Sequence, residues 1–572
     1  MTRIKRISTD FLIPIREVFG SLSKRSLVII LYLIIPLVFL MNATTIHSNL
    51  GKLFMSNVDP EYFYLYNGMQ MSRGTLSMQY TSNPGTPLQA VVAIACDIVG
   101  AFQSDNVLKD MVNDPEKYIH ASNLLMVFLI AVALFFCGWY IGKITGSWFA
   151  GLLLQLALPG SASLLNLTGR VNAEAMMIFP TLLLCIAIFH YIYTHQEQDK
   201  ASGKMTVLFG LILGFGGAVK ISFFPLIIIP WILLKNSFRE KVRLLIYTLL
   251  FFAIFAYPVV FNNGNFWNWL ASVLSHTGKY GEGPKGFIDL TVIPGHLSTL
   301  YHDDKLFFFI TGLSLLIGAL LWLQYRKSST SVAAGRIARA MIAVPLAVMA
   351  CMVLVLKHFE LYYFVPFYAF KFVIIALFFL LIFGDKQFQR TIVTKITLTS
   401  LFAVAVAWIT FGQAQKVQEY NQHFIERKAL QDQEYGQVMA QFEPGSPLIL
   451  SGAYYGTPFI EFAHYDGYKM AGKIKGSYTP YLKEKFPVSY QFVTWADNFY
   501  FWDSFVDFKE ILDKTDKSFY IFLGQWREGD LGIIEQRLYQ AIDSNSVRKE
   551  IVYHNESNGD QLIRMTIVRN QK

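Results

Sequence analysis

Long apolar runs recur along the first three-quarters of the chain, interrupted by short polar connections. Their length matches the roughly 20 residues that a bilayer-spanning helix needs. The pattern predicts spans at about 27–45, 120–142, 146–164, 172–193, 205–219, 222–235, 244–262, 305–325, 340–356, 361–383 and 396–412. From Met205 to Leu234 one charge, Lys220, interrupts the apolar run, so one tilted helix and two shorter ones both fit. The segment 86–102 is apolar and helical in pattern but carries Asp97; it reads as an interfacial helix rather than a span. From about Gln413 the pattern changes. Helical periodicity at Glu434–Phe442 and Leu531–Ile542 mixes with strand-like runs at 447–452, 518–524, 547–554 and 562–568. The last two flank Asn555–Asp560, which contains Asn-Gly, and predict a hairpin.

The expected fold class is therefore a polytopic α-helical membrane protein of about eleven transmembrane helices with a C-terminal soluble α/β domain. The expected division is 1–412 for the membrane part, including a first outer loop at 46–120, and 413–572 for the soluble part. Composition agrees: 53% of residues are hydrophobic and only 16% charged, against about 25% charged in soluble chains. The net charge of +9 is uneven. From Gly412 onward 18 Lys/Arg face 21 Asp/Glu, so the remainder carries 31 positive against 19 negative side chains. That excess falls in alternate short loops and sets orientation by the positive-inside rule. It is a topology signal, and nucleic-acid binding is not expected. The basic N-terminus (Arg3, Lys5, Arg6, Arg16, Lys24, Arg25) before the first span reads as an uncleaved signal anchor with a cytoplasmic N-terminus. The first loop, 263–304, the Lys357 region and the C-terminal domain then share the outer side. The four cysteines lie in apolar stretches without zinc spacing and read as inert buried thiols.

The first outer loop holds an acidic pair, Asp59 and Glu61, around Pro60 and before an aromatic run, Tyr62 to Tyr66. Asp-Pro is a good helix start, because Asp caps free amides and Pro loses no hydrogen bond at the first helical position. Glu61 in the first turn suits the helix dipole. Cap and catalyst are compatible roles, since a capped carboxylate is held rigidly and kept ionised. Tyr62, Tyr66, Met69 and Arg73 share one helical face. Elsewhere, charges fall at predicted outer membrane edges: Arg170 and Glu174 in TGRVNAEAM, Lys220, and Lys357 with His358 in LKHFELYYFVP. Ionisable groups at membrane depth are expensive, which favours function; snorkelling of Lys and Arg is the plain alternative. The Gly-rich loop SHTGKYGEGPKGF carries His276, Lys279 and Tyr280, and suits either a cover over a headgroup or an ordinary connection. Nucleotide-binding G-x-x-x-x-G-K-[ST], H-E-x-x-H and G-x-S-x-G patterns are missing.

Four features together resemble the GT-C membrane glycosyltransferases, the superfamily of protein O-mannosyltransferases and lipid A aminoarabinose transferase. They are Asp59-Pro60-Glu61-Tyr62 in the first loop; the Pro-Gly-Thr-Pro segment within Asn83 to Gln89; GLILGFGGAVKISFFPLIIIPW, Gly210 to Trp231; and KHFELYYFVP, Lys357 to Pro366. The likeness covers about 1–412. It implies transfer from a polyprenyl-phosphate sugar on the outer face, with a glycan, lipid or protein hydroxyl as acceptor. It implies Asp59 as base, with the split of roles between Asp59 and Glu61 open. Glu61 and Glu174 would orient the acceptor or, with Asp59, bind a divalent cation (Mg or Mn). Arg170, Lys357 and His358 would neutralise the leaving phosphate, and His276 and Tyr280 are further substrate-binding candidates. The C-terminal domain would select the acceptor. A bacterial inner membrane with a periplasmic C-terminal domain is the expected location. A surface-polysaccharide polymerase or ligase uses the same face and is the nearest alternative. A lipid or sugar-lipid transporter is the other, although the two similar halves common in transporters are not seen.

Overall fold

The computed structural model describes residues 24–568 apart from 57, 77, 82–83, 104–105, 195–199, 235–236, 263, 279–282, 328–331, 385–391, 453–455, 473–474, 526 and 544–545. The chain forms two compact units that interleave in sequence. The membrane unit comprises Met1–His47, Thr81–Leu88 and Asn123–Tyr420; the sheet unit comprises Ser48–Tyr80, Gln89–Ser122 and Asn421–Lys572. Most of the first outer loop, which the apolar pattern attaches to a 1–412 domain, thus lies with the C-terminal domain.

Among the described residues six helices are long and apolar enough to cross a membrane: Val28–Ser48, Pro115–Thr145, Ala173–Thr194, Lys305–Gln324, Ala333–Lys357 and Leu361–Phe383. The chain is an integral membrane protein. Shorter apolar helices occupy Gly203–Val219 and Ile221–Leu233. These resolve the stretch around Lys220 into two elements, because Lys220 itself is extended (φ −156°, ψ 134°). The run expected as a span at 146–164 is two short helices, Trp148–Gln155 and Ala162–Leu167. Pro159-Gly160 lies in the turn between them, and a Cβ at Gly160 would stand 2.2 Å from Phe372 Cζ. The glycine-rich run has a packing reason. A Cβ at Gly210 would lie 2.5 Å from Tyr247 Cβ and one at Gly214 2.6 Å from Phe251 Cβ. Helices Lys200–Val219 and Phe238–Phe255 therefore meet backbone to backbone, the usual service of small residues between membrane helices.

The sheet unit carries seven strands: β1 (Leu448–Ser451), β2 (Ser489–Val493), β3 (Asn498–Phe501), β4 (Ser504–Val506), β5 (Ser518–Leu523), β6 (Val547–His554) and β7 (Gln561–Ile567). Their order is β4-β3-β2-β1-β5-β7-β6. β1 pairs in parallel with β2 and β5, and the remaining pairs are antiparallel. Central β5 is buried throughout, whereas edge strand β6 is largely exposed. The Asn-Gly hairpin forms as the pattern predicts, with Gly559 at φ +81° closing the turn. Strands β2 to β4, by contrast, answer no strand-like run noted in the sequence. In the same unit the loop helix Val58–Ser72 packs on helix Ile460–Lys469. Tyr66 Oη hydrogen-bonds His464 Nδ1 at 2.8 Å, and Asn67 Nδ2 donates to Met470 O at 2.8 Å. A Cβ at Gly467 would collide with the Tyr66 ring at 2.4 Å. The aromatic face seen in the sequence is thus largely a packing face.

Candidate functional site

In the sheet unit the acidic pair opens the Val58–Ser72 helix. Asp59 lies in its first turn, one residue inside the start rather than ahead of it; its side chain falls outside the described residues. Glu61 is fully buried, as is Tyr62. Burial above all, and then the nearby charge of Glu116, holds the Tyr62 hydroxyl well above its usual pKa. Among the described residues that hydroxyl has no hydrogen-bond partner. Glu116 in turn caps the short helix Leu53–Ser56, its Oε1 accepting from Leu53 N at 2.7 Å and Phe54 N at 3.3 Å. The acidic turn is therefore preceded by a segment fixed by hydrogen bonds and followed by a helix clamped through Tyr66 and Asn67.

In the membrane unit the TGRVN turn is held from three sides. His47 Nδ1 donates to Gly169 O at 2.6 Å, Asn123 Nδ2 donates to Thr168 O at 2.9 Å, and Asn172 Oδ1 accepts from Ala175 N at 2.7 Å. Asn172 thereby caps the Ala173–Thr194 helix and sets Glu174 in its first turn. Glu174 is paired with Lys220, both side chains being 6% exposed. The Lys220 ammonium also lies over the Tyr363 ring, 3.5 Å from its centroid. The extended backbone at Lys220 lets it reach across. Arg170, half-buried on the same turn, pairs with no carboxylate among the described residues.

Lys357 closes the Ala333–Lys357 helix and donates to the carbonyls of Phe287 and, at 3.4 Å, Leu274. It thereby ties down both ends of the Gly-rich loop. The backbone of His276 forms an antiparallel β-bridge with that of Lys285, backed by Thr277 N donating to Pro284 O at 3.0 Å and Gly286 N donating to Ser275 O at 2.9 Å. Lys279 and Tyr280 lie outside the described residues. His358 is half-buried, and burial first, then the neighbouring Lys357 charge, holds its imidazole below the usual value. It is neutral near pH 7.

A cluster that the sequence reading passed over sits at the head of the Lys305–Gln324 span. Asp304 pairs with Lys371, whose side chain is fully buried, and also caps the following helix by accepting from Phe307 N at 2.9 Å. Both oxygens of Asp303 accept from Ser163 Oγ at 3.1 Å. Burial pushes the Asp303 carboxyl up, against the pull of its bonds from Ser163 and Tyr368. The available signal was the string His302-Asp303-Asp304-Lys305 at the edge of an apolar run.

No family model matches the chain, and no curated protein matches it. A solved structure to which it is similar is that of ArnT from Cupriavidus metallidurans bound to undecaprenyl phosphate. The two are 12% identical with a TM-score of 0.47, over 95% of this chain and 98% of that one.

Of the residues singled out in the sequence, the structure joins Glu174 to Lys220 and Lys357 to the loop that carries His276. Both joins use charge up inside the fold. Glu174 is committed to an ion pair, and Lys357 spends hydrogen bonds on carbonyl oxygens. Arg170 pairs with no carboxylate among the described residues and lies on a turn that His47 and Asn123 hold in place. As for a cation, among the described residues no three His, Cys, Asp or Glu side chains cluster with metal-binding spacing.

Proposed function

We propose that the chain is a membrane glycosyltransferase that moves a sugar from a polyprenyl-phosphate donor to an acceptor hydroxyl on the outer, periplasmic face of a bacterial inner membrane. The observation that carries the reading is the acidic turn. Asp59 stands in the first turn of a helix locked to a folded sheet domain, in a chain that among its described residues has six helices long and apolar enough to cross a membrane. In that position a carboxylate can be held steady against an acceptor.

The acceptor oxygen attacks the anomeric carbon while Asp59 takes its proton. The bond from that carbon to the phosphate oxygen breaks, and the polyprenyl phosphate leaves with the electron pair. A positioned base supplies about 10²–10⁴-fold. The leaving phosphate is already stable as an anion and needs charge neutralisation rather than a proton. Arg170 is best suited to that, since its planar fork matches phosphate geometry. Lys357 acts chiefly by holding the Gly-rich loop, and neutral His358 offers a hydrogen bond rather than a charge. Asp59 and Glu61 would be the side chains to hold a divalent cation, which would supply further charge neutralisation.

The test uses purified protein in detergent with a panel of radiolabelled polyprenyl-phosphate sugars, following sugar passed to water or to extracted envelope acceptors. Wild type should turn over one donor, and Asp59→Asn should lose that turnover while remaining folded. Full activity in Asp59→Asn removes Asp59 as the base. Failure of a folded wild type to bind any donor removes the donor class.

A further inference from the structure

The sheet unit contains a cavity that the transfer reaction does not use. It has a volume of about 470 Å³ and lies between the end of helix Ile392–Gln441, the 456–458 turn and the β6–β7 hairpin turn. All its walls belong to the sheet unit. Three carboxylates line it, Glu434 on the helix and Glu556 and Asp560 in the hairpin turn, with the Arg427 guanidinium as a cation on the helix side. Glu434 and Asp560 are oriented by neighbours. Glu434 Oε1 accepts from Tyr553 Oη at 3.2 Å and Asn555 Nδ2 at 3.0 Å. Asp560 Oδ2 accepts from Asn558 Nδ2 at 2.9 Å, and Asn558 Oδ1 accepts in return from Asp560 N at 2.9 Å. A further polar side chain in the lining is Gln431, 7% exposed, whose amide oxygen lies against Gly51.

The chemistry of that lining narrows the ligand. Three carboxyl groups against the single guanidinium of Arg427 disfavour a phosphate or a carboxylate. A divalent cation wants oxygen ligands only, yet here amide N–H groups and the Tyr553 hydroxyl alternate with the carboxylates. The volume is also many times a water's share of about 30 Å³ and falls among small-molecule pockets of about 300–1,000 Å³. Vicinal hydroxyls, each able to donate and accept at once, match alternating acids and amides. Leu430 and Pro458 give the cavity an apolar side for the C–H face of a ring. We infer that this cavity is a carbohydrate-binding site, taking one or two neutral sugar rings, with Glu434 accepting from ring hydroxyls and the Asp560 carboxyl hydrogen-bonding to them. The inference stands whether or not the membrane unit transfers sugar.

The test is saturation-transfer NMR on the full chain in detergent, with glucose, galactose, mannose, N-acetylglucosamine and their common disaccharides. At least one sugar should bind wild type, and both Glu434→Gln and Gln437→Trp should weaken it at least tenfold. Gln437 is exposed at the cavity wall, so the tryptophan fills the space from outside and should leave the melting temperature unchanged. That separates blocked binding from misfolding. No signal from any sugar with wild type overturns the inference, and so does a signal that survives both substitutions. Calcium chloride alone, if it raises the melting temperature of wild type but not of Glu434→Gln while no sugar binds, makes this a cation site and also overturns it.

Discussion

Asp560 offers a quantitative test of the hairpin's electrostatics. The residue is 6% exposed. Burial, first, and then the charge of Glu434 push it up to about 7, although hydrogen bonds from Asn558 and the Gln525 backbone pull the other way. In the unfolded chain the same group titrates near 3.9. Between about pH 4 and pH 7 the folded state therefore holds a proton that the unfolded state has released. The sign follows: the contribution of Asp560 is fully favourable below about pH 4 and is lost as pH rises through about 7. Three units at 1.36 kcal/mol each amount to about 4 kcal/mol across that window. Asp560→Asn removes the titration while its side-chain oxygen can still accept from Asn558. Hydrogen exchange of hairpin peptides on the full chain in detergent, corrected for intrinsic rates, reads the local opening. Wild-type protection should fall by up to about tenfold per pH unit from about pH 4.5 to 7 and then level. The variant should lack that component and be better protected at pH 8. Glu434→Gln should shift the levelling to lower pH, because it removes the second cause of the shift. Equal slopes in wild type and Asp560→Asn would show that the carboxyl is not held protonated.

Two further substitutions probe the fold. Lys371→Met strands Asp304 in the buried pair and should cost about 3–5 kcal/mol, with much of the loss recovered when Asp304→Asn is added; an unchanged melting temperature in detergent for the single variant would refute the pairing. Gly456→Ala should lower the stability of the sheet unit by at least about 1–2 kcal/mol, since Gly456 sits at φ +89° and the new Cβ would stand 2.3 Å from Phe54 O; wild-type melting would show that the two segments do not meet there.

What was legible in the sequence was local. Apolar runs of span length announced the six long helices, and an Asn-Gly between two strand-like runs announced the β6–β7 hairpin. Three misreadings have physical causes. Pro159-Gly160 signals a turn, but the turn is buried against Phe372, so its residues are as apolar as a span. Strands β2 to β4 form a meander whose turns place Asp497 at φ 49° and Trp502 at φ 56°. Non-glycine residues there left no turn signal in a stretch already dense with aromatics. The loop helix looked like an adjunct of the membrane part because it is far in sequence from the sheet domain that Tyr66 and Asn67 grip.

The same limit governs the site. Sequence marks charges at membrane edges but not whether each is already spent. Glu174 and Lys220 are 46 residues apart, and Asp304 and Lys371 are 67 apart; only the folded chain shows that each pair neutralises itself. In a buried pair of that kind each charge is compensated by its partner, so neither is free to neutralise a ligand. By that criterion Glu174 moves from substrate binding towards architecture, and Lys357 towards holding a loop. Arg170 gains, since the turn that carries it is braced by His47, Asn123 and Asn172 while its guanidinium pairs with no carboxylate among the described residues. The cavity at Glu434 and Asp560 gains for the same reason. Glu434 there is oriented by Tyr553 and Asn555 and forms no ion pair among the described residues, which leaves it acceptor capacity for a ligand.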